Sequence, residues 1–310
     1  MTQQKKKRGN YALDQSPIYK LRSQRRLAQL LHVPLKDIYG LLDAGNNYRV
    51  FPQGKRMCHD PKPKMKAIHK RLQILLNRIA PPEYLHSATK GRSYITNAAA
   101  HLDNDVLHKL DVRNFFNSTT YKHVFDFFKN TMQCTIDVAT LLSRVVTYND
   151  HLPTGSPISP ILAYFAHKPL FDEIYEASAH DDVKMTCYVD DLSFSGGRVP
   201  KCVLGKAKEG IVKRGLKYHK EKRFQEGDTK IVTGVALRGD QMLLPNKRHK
   251  KIYDEKQRSL TTEDQKEKQT LVRKLISRTG EAARIEPQLF ESLRQALMQV
   301  NKSLSQSLRK

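Results

Sequence analysis

The sequence predicts an α+β protein, with helical segments towards both ends and a mixed region of strands and helices between them. Near each end, apolar residues recur with helical spacing, whereas several central segments alternate polar and apolar residues as strands do. Strands that are separated by helices but closed by tight turns favour an α+β arrangement over a doubly wound parallel sheet.

The composition and charge narrow the class of partner. The chain has 310 residues, of which 39% are hydrophobic and 28% charged, which is sufficient for a globular protein of two or three subdomains. Lys and Arg total 55 against 31 Asp and Glu, so the net charge is +24. An excess of this size repels itself unless a polyanion neutralises it. Nucleic acid is the favoured polyanion, and an acidic membrane surface is the weaker alternative.

Several other classes of protein are excluded or disfavoured. No stretch approaches the 18 apolar residues of a membrane-spanning helix, and the basic N-terminal residues are followed by no secretory apolar run. The histidines form no HExxH motif, and the cysteines form no CxxC pair, which disfavours a zinc ribbon. Scattered thiols fit a reducing compartment, so we expect a cytoplasmic protein without a membrane partner. The four cysteines are Cys58, Cys134, Cys187 and Cys202.

The N-terminal region is predicted to hold a basic arm followed by helices. Residues 1–15 are expected to be flexible, and they either solubilise the chain or bind phosphate. Ser16 and Pro17 predict the start of the first helix, because Ser caps helices and Pro fits the first turn. Another apolar stripe after Pro34 predicts a second helix.

The next two segments differ in type. Residues 46–57 are expected to be extended, since they contain aromatic and β-branched side chains. Residues 65–79 predict an amphipathic helix, and lysines crowd its polar side, where they either face solvent or bind phosphate. Its apolar stripe consists of Ile68, Leu72, Leu75, Leu76 and Ile79.

The central region alternates between strands and helices. Residues 106–112 alternate polar and apolar side chains, which predicts a strand. Residues 121–131 and 135–147 have helical spacing. Residues 185–195 predict two short strands bent around Asp190 and Asp191.

The C-terminal third is predicted to change from strands to helices. Residues 231–237 are expected to form one strand, and Gly239 and Asp240 a turn before another short strand. After the basic residues 247–251 the chain is expected to be helical to its end.

Two local signals predict where those C-terminal helices begin. Thr262 with Gln265 fits a capping box, and Pro287 stands where the last helix should start.

Adjacent carboxylates at a strand–turn–strand apex are the most informative feature. Asp190 and Asp191 repel each other there unless a cation compensates, and Asp111, on another predicted strand, supplies a third carboxylate. Each segment alone is more often a solvated bend than a metal site. Together they predict a site for two Mg²⁺ ions about 3.5–4 Å apart, suited to in-line phosphoryl transfer.

Further motifs occur in a fixed order over about residues 55–237. They are Lys55-Arg56, Gly91-Arg92-Ser93, Asn97-Ala98-Ala99-Ala100-His101, Leu110-Asp111-Val112-Arg113-Asn114-Phe115-Phe116, Leu152 to Pro160, Tyr188-Val189-Asp190-Asp191, Gly215 to Lys222, and Val232-Thr233-Gly234. In these segments the chain resembles reverse transcriptases, most of all the retron reverse transcriptases of bacteria.

The resemblance implies roles for residues around the carboxylates. Lys55 and Arg56 would neutralise a deoxynucleoside triphosphate, and Phe116 would exclude the ribose 2′-hydroxyl. Thr154 and Gly155 would contact nucleotide and template, because glycine permits close approach of the backbone. Catalytic residues would be Asp111, Asp190 and Asp191, with Lys222 as proton donor or phosphate ligand.

The same resemblance implies contacts with a structured RNA. Asn97 and His101 are four residues apart and would share one helix face. With Val232, Thr233 and Gly234, they are expected to bind the retron's own noncoding RNA.

Two positions depart from the usual pattern. Related enzymes commonly have Gln where Thr154 stands and Ala where Val189 stands. The shorter Thr cannot make the contacts of Gln, so fidelity or affinity is expected to differ, whereas Val at its position is expected to be tolerated.

The implied architecture is that of a right-hand polymerase. It would comprise an N-terminal arm and helices (1–47), fingers (48–104), a palm with an antiparallel sheet and interspersed fingers helices (105–243), and a helical basic thumb (244–310). The implied partners are a cognate noncoding RNA, its RNA–DNA product, deoxynucleotides and a separately encoded effector of phage defence. Priming from a guanosine 2′-hydroxyl would link the short DNA to the RNA.

Two alternatives stay open. One is another reverse transcriptase, such as a group II intron or diversity-generating enzyme, although the chain lacks room for an added maturase or endonuclease domain. The other is a noncatalytic module that binds RNA through its basic charge alone.

Overall fold

A computed structural model describes residues 10–42, 44–54 and 56–307 of the chain. The basic residues 1–9 and the predicted triphosphate ligand Lys55 lie outside the described residues. The described chain forms two compact units, and the segments that build them alternate along the sequence. The first contains the residues up to Ser93, His108–Phe194 and Arg198–Lys222, and the second contains Tyr94–Leu107, Ser195–Gly197 and the residues from Arg223.

The strands are short and most of them are joined by tight turns. They are β1 (Tyr48–Gln53), β2 (Arg56–Pro61), β3 (Val106–Val112), β4 (Lys184–Tyr188), β5 (Asp191–Gly196), β6 (Tyr218–Phe224), β7 (Lys230–Val232), β8 (Val235–Arg238) and β9 (Gln241–Leu243).

Besides a 3-10 helix (Leu13–Gln15) and a π-helix (Phe127–Thr131), fourteen α-helices supply the rest of the regular structure of the described residues. They are α1 (Gln24–Leu31), α2 (Leu35–Gly40), α3 (Ala44–Asn47), α4 (Pro63–Leu76), α5 (Tyr94–Ala99), α6 (Phe115–Ser118), α7 (Tyr121–Asp126), α8 (Ile136–Val146), α9 (Ser159–Ala166), α10 (Lys168–His180), α11 (Lys201–Lys213), α12 (Asn246–Thr261), α13 (Gln265–Ala282) and α14 (Pro287–Ser307).

The first unit is built around a sheet and an antiparallel hairpin. The four-stranded sheet has the order β4-β5-β3-β6, so β3 and β5 are its inner strands. Strands β1 and β2 pair in an antiparallel hairpin whose register places Phe51 opposite Cys58. One continuous apolar core includes residues of α4, α8, α9 and α10, and among its largest fully buried side chains are Phe127, Phe128, Phe171 and Phe194.

The second unit has its own core. The antiparallel strands β7, β8 and β9 are neighbours in that order, and α5 contacts β7 and β8. Apolar residues of α12, α13 and α14 complete this core, with Leu275 and Ala282 fully buried. The helical C-terminal segment is therefore confirmed over residues 246–307, and Pro287 is the first residue of α14 as predicted.

Most periodicity-based predictions are confirmed. Residues 106–112 form β3, and the two strands around Asp190 and Asp191 are β4 and β5. The amphipathic helix expected over 65–79 is α4, which ends at Leu76. The segment 46–57, expected to be extended, contains β1 and the start of β2, but Asn46 and Asn47 belong to α3. Together with the antiparallel pairs, this mixture of helices and sheets confirms the α+β class.

The N-terminal predictions need correction. Ser16 and Pro17 do not start a helix, because Lys20 has a φ of 53° and donates its N–H to the carbonyl of Met132, 2.8 Å away. The first helix begins after Ser23, whose side chain accepts from Arg26 N. Residues 10–15 are not a free arm either, since the Tyr11 hydroxyl donates to the carbonyl of Leu75.

Two C-terminal predictions were also wrong. Residues 231–237 form two strands, β7 and β8, because Thr233 and Gly234 have φ values of 45° and 84° and make a tight turn. The cap of α13 is Asp264, which accepts from Lys266 N, while the Thr262 hydroxyl donates to Glu267. Among the described residues, no helix combines the length and apolarity needed to cross a membrane.

Candidate active site

The Asp190–Asp191 pair lies at the turn between β4 and β5. Val189 has a φ of 60°, a left-handed conformation that is costly for a β-branched side chain. The turn brings Asp190 and Asp191 to the end of the hairpin, where both are half-buried. A strained residue next to two repelling carboxylates indicates that this geometry is fixed by the surrounding fold.

Asp111 is brought to the same place by strand β3. The backbone N–H of Val112 donates to the carbonyl of Asp190, 2.8 Å away. Burial raises the pKa of Asp190, and the negative charges of Asp111 and Asp191 raise it further. The pKa of Asp191 is also raised, chiefly by burial and in part by Asp111. The three carboxylates therefore lie near one another, as the sequence predicted, and repel one another.

Basic side chains of the protein offset part of this repulsion. Lys109 Nζ lies 2.8 Å from Asp191 Oδ2. On the neighbouring strand β6, His219 Nδ1 lies 3.1 Å from Asp111 Oδ1, at ion-pair distance but outside hydrogen-bond geometry. Lys220 Nζ lies 3.9 Å from the other oxygen of Asp111.

The backbone of β6 explains why two consecutive residues face Asp111. Successive side chains of a regular strand point to opposite faces of the sheet. Lys220, however, has a φ of 53°, which breaks this alternation. His219 and Lys220 can therefore both approach the same carboxylate.

The donor chemistry fits hard divalent cations, because three clustered carboxylates offer oxygen ligands and carry uncompensated negative charge. As the side chains stand, however, the described residues contain no group of three metal-ligating side chains that could hold an ion. Oxygens of Asp111 and Asp191 are instead directed at His219, Lys220 and Lys109. A bound ion would therefore require these side chains to withdraw.

Two triphosphate ligands were predicted, and Arg56, in the β1–β2 hairpin, is the one that lies among the described residues. Arg56, the first residue of β2, is exposed. Its positive charge partly offsets the rise in the pKa of Asp190, so the guanidinium lies within electrostatic reach of that carboxylate. An exposed guanidinium that acts electrostatically on Asp190 is suited to a phosphate group.

The loop containing Thr154 is attached to strand β2. The Thr154 hydroxyl donates to the carbonyl of Met57 at 2.9 Å and accepts from the N–H of His59 at 3.3 Å. The N–H of Gly155 donates to the carbonyl of His59 at 3.2 Å. A Cβ at Gly155 would lie 2.8 Å from Cys58 Sγ and 3.0 Å from the same carbonyl, so a larger residue would push the loop away.

A buried histidine holds the following residue of this loop. His69 Nε2 lies 2.9 Å from the carbonyl of Val145, so it donates there, and its Nδ1 accepts from the Ser156 hydroxyl at 2.7 Å. Burial lowers the pKa of His69 to about 4, so the ring is neutral at pH 7. The hydrogen bonds of His69 therefore hold the loop at Ser156 against α4 and α8.

Phe116, the predicted sugar selector, follows Asp111 at the start of α6 and is half-buried. The ring of the preceding Phe115 is only 3% exposed and belongs to the core, as expected. Two contacts hold helix α6 in place. The Thr119 hydroxyl donates to the carbonyl of Phe115, and His167 Nε2 lies 3.2 Å from that hydroxyl. Burial lowers the pKa of His167 to about 3.

Strand β6 carries both the predicted lysine and residues that were missed. Lys222 is exposed on β6, and its role stays a prediction. Sequence patterns did not identify Lys109 or His219 as neighbours of the carboxylates, because their pairing depends on which strands are adjacent in the sheet. The abundance of basic residues between 217 and 223 was the only signal for Lys220.

The predicted RNA-binding residues form a separate cluster in the second unit. Asn97, His101 and Val232 are fully buried. His101 Nδ1 lies 2.6 Å from the hydroxyl of Ser195, and Asn97 Nδ2 lies 3.5 Å from the hydroxyl of Thr233. These side chains join segments of the second unit, and their predicted contact with RNA stays a prediction.

The turn between β7 and β8 is attached to the same cluster. The Thr233 hydroxyl donates to the carbonyl of Tyr94 at 2.8 Å, and Arg248 Nη1 lies 3.5 Å from the carbonyl of Gly234. Thr233 and Gly234 are half-buried, so this turn is the part of the cluster that reaches the surface.

Comparisons with known proteins identify the family of the chain. The family model described as "Reverse transcriptase (RNA-dependent DNA polymerase)" matches residues 44–231. The Retron Se72 reverse transcriptase of Salmonella heidelberg is 36% identical over 148 residues, which are 46% of this chain and 38% of the relative. For the Retron Mx65 reverse transcriptase of Myxococcus xanthus, identity is 29% over 207 residues, with 59% and 48% covered.

The further matches are another retron reverse transcriptase and a solved structure. The Retron Ec86 reverse transcriptase of Escherichia coli is 25% identical over 204 residues, with 64% of this chain and 63% of the relative covered. A solved structure, a foamy viral protease-reverse transcriptase in complex with double-stranded DNA, has a TM-score of 0.45 and 17% identity, with 76% of this chain and 36% of that chain covered. The chain thus spans between 38% and 63% of the length of these curated relatives. Because the family model covers more than half of the chain, and includes Asp111, Asp190 and Asp191, the protein belongs to the reverse transcriptase (RNA-dependent DNA polymerase) family.

Proposed function

We propose that this protein is an RNA-directed DNA polymerase of the retron type. It would copy part of a dedicated structured noncoding RNA into a short DNA that stays linked to the RNA. The observation that carries the proposal is the proximity of Asp111 to the Asp190–Asp191 turn, supported by the hydrogen bond from Val112 N to the Asp190 carbonyl at 2.8 Å.

In this mechanism Asp111, Asp190 and Asp191 would hold two Mg²⁺ ions. When bound, the ions would lower the pKa of the primer hydroxyl and stabilise the departing pyrophosphate. Arg56 would bind the triphosphate of the incoming deoxynucleotide, and Lys55 would assist it. The exposed edge of Phe116 would exclude a ribose 2′-hydroxyl.

Proton transfer to pyrophosphate would come from the lysines of β6. The sequence pattern assigns this role to Lys222, but the 3.9 Å distance between Lys220 Nζ and Asp111 favours Lys220. The Thr154–Gly155 loop would shape the nucleotide site, with the glycine backbone as the surface nearest to nucleotide and template.

RNA recognition is proposed to involve the second unit. Since Asn97, His101 and Val232 are fully buried, they would act by fixing the turn at Thr233 and Gly234, which would approach the RNA. Basic residues of α12 would contact RNA phosphates, consistent with the net charge of +24. A separately encoded effector, a role in phage defence and a cytoplasmic location would complete the retron assignment.

The test of the activity is Asp190→Asn in the full chain. Mg²⁺-dependent incorporation of labelled deoxynucleotides should fall by several orders of magnitude, while RNA binding stays within about twofold, because the fold and the basic surface are unchanged. Asp126→Asn is the matched control, since Asp126 lies on α7 and pairs with the exposed Lys122. Polymerisation by Asp190→Asn at the parental rate would refute the metal assignment.

The retron type is tested by the nucleic acid that copurifies with the protein. Sequencing should recover one structured RNA joined to a short complementary DNA. Heterogeneous cellular RNA would instead favour another reverse transcriptase, and RNA without any Mg²⁺-dependent DNA synthesis would favour a noncatalytic RNA-binding protein.

A further inference from the structure

Lys109 occupies an unusual position for a basic residue. It precedes Asp111 by two residues on β3, so both side chains lie on the same face of the sheet. Asp191 is the first residue of the adjacent strand β5. Lys109 Nζ therefore reaches Asp191 Oδ2 at 2.8 Å, inside the cluster of carboxylates.

This ion pair differs from an ordinary surface salt bridge. The side chains of Lys109 and Asp191 are only 15% and 20% exposed, so solvent screens their attraction weakly. By comparison, the surface pair of Lys122 and Asp126 has exposures of 80% and 40%. An enclosed pair of this kind is costly to separate unless each partner gains a new counter-charge.

The other cations of the site are more exposed. Lys220, at 3.9 Å from Asp111, has a side chain that is 60% exposed, and Arg56 is also exposed. They can swing towards solvent or a phosphate group at little cost. Among the described cations of the site, Lys109 is the one that is enclosed together with its carboxylate.

We propose that Lys109 is a resident counterion of Asp191, which a divalent cation must displace before that carboxylate can act as a ligand. The inference rests on the proposed two-metal function. It means that the free protein binds metal ions weakly through Asp191, while Asp111 and Asp190 provide most of the affinity. Full occupancy of the site then depends on a deoxynucleoside triphosphate, whose negative charge accompanies the ions.

The charge of Lys109, rather than its bulk, should set the metal affinity. A like charge a few ångströms from a bound cation disfavours that cation, and in a partly enclosed site the effect corresponds to about tenfold or more in affinity. Lys109→Gln removes the charge but keeps a polar side chain that can donate to Asp191. Lys109→Arg keeps the charge and serves as the matched control.

The experiment titrates Mn²⁺ into the nucleic-acid-free full chain without nucleotide, and follows free Mn²⁺ by electron paramagnetic resonance. Lys109→Gln should bind Mn²⁺ at least about tenfold more tightly than the parent, and Lys109→Arg should bind like the parent. Folding of each variant is checked by circular dichroism. Equal or weaker binding by folded Lys109→Gln would overturn the proposal.

Asp191→Asn provides a second test that does not change Lys109. Because Lys109 occupies Asp191, this variant removes a negative charge but no metal ligand, so it should weaken Mn²⁺ binding several-fold less than Asp190→Asn, which removes both. An equally large loss in both variants would show that Asp191 ligates freely, and would overturn the proposal even if Lys109→Gln did not fold.

Asp111→Asn separates this inference from the proposed function. If Asp111→Asn and Asp190→Asn bind Mn²⁺ as the parent does, the metal site itself is wrongly assigned. If both weaken binding but Lys109→Gln does not strengthen it, only the role of Lys109 is refuted.

Discussion

The hydroxyl group of Thr154 donates a hydrogen bond to the backbone carbonyl of Met57, 2.9 Å away. It also accepts from the N–H of His59, so both of its hydrogen-bonding roles are used on strand β2. A residue expected to contact nucleotide thus attaches the 152–160 loop to the β1–β2 hairpin. This gives a structural reason why a short hydroxyl side chain can occupy a position where related enzymes commonly have Gln.

Thr154→Val is therefore expected to be more harmful than Thr154→Ser. Valine keeps the shape but loses both hydrogen bonds to β2, which should cost about 1–2 kcal/mol of unfolding free energy. Serine keeps the hydroxyl and should cost less than about 1 kcal/mol. Urea unfolding of the parent and the two variants measures this, with the KM for deoxynucleotides as a second readout. Equal stability of the Thr154→Val and Thr154→Ser variants would mean that the hydroxyl does not attach the loop.

Phe116→Val is expected to admit ribonucleotides. The smaller side chain opens the space beside α6 without disturbing the buried ring of Phe115, so the preference for deoxynucleotides in kcat/KM should fall by about tenfold or more. Phe116→Tyr retains a ring and should keep the preference. If sugar discrimination is the same in Phe116→Val and the parent, another residue performs the selection.

Acid is expected to destabilise the fold through its buried histidines. The pKa of His69 is about 4 in the folded state, below the ordinary value of 6.5, so protons bind preferentially to the unfolded chain. Stability from this residue is complete above about pH 6.5 and is lost as the pH falls towards 4, by on the order of 3 kcal/mol. His167, whose pKa is about 3, should act in the same direction.

Urea unfolding between pH 7.5 and pH 4.5 measures this dependence. His69→Gln should reduce the slope of unfolding free energy against pH. His180→Gln should not, because the side chain of His180 is 88% exposed. A slope unaffected by His69→Gln would mean that His69 is not the buried neutral group assigned here.

The two candidate lysines of β6 can be separated by substitution. Lys220→Ala is expected to lower kcat by roughly 100-fold, in line with the loss of a general acid, because Lys220 lies beside Asp111. Lys222→Ala should lower kcat only a few-fold. Single-turnover kinetics of deoxynucleotide incorporation distinguish the two, and the reverse order would restore the assignment of Lys222.

The parts of the fold that were predictable follow from periodicity. The strand β3 and the helix α4 carry regular apolar patterns, and the proximity of Asp111 to Asp190 and Asp191 could be predicted because residue type and motif order coincide. The pairing of Lys109 with Asp191 could not be predicted, because it depends on the adjacency of β3 and β5.

Local backbone exceptions account for other errors. Thr233 has a positive φ that its residue type disfavours, so a single strand was predicted where a hairpin exists. Lys20 likewise has a positive φ, stabilised by a hydrogen bond to the distant Met132, which a local helix signal cannot reveal. Burial of Asn97 and His101 also depends on distant segments, since their partners are Thr233 and Ser195.

The interleaved composition of the second unit has a consequence for synthesis of the protein. Residues 94–107 belong to a unit whose other main segment begins at Arg223, more than a hundred residues later. During translation α5 leaves the ribosome before that segment is synthesised, so Asn97 and Ala98 stay exposed until the residues from Arg223 onward have emerged. Premature termination of translation before β7 would therefore leave the apolar side of α5 uncovered, a form suited to capture by chaperones.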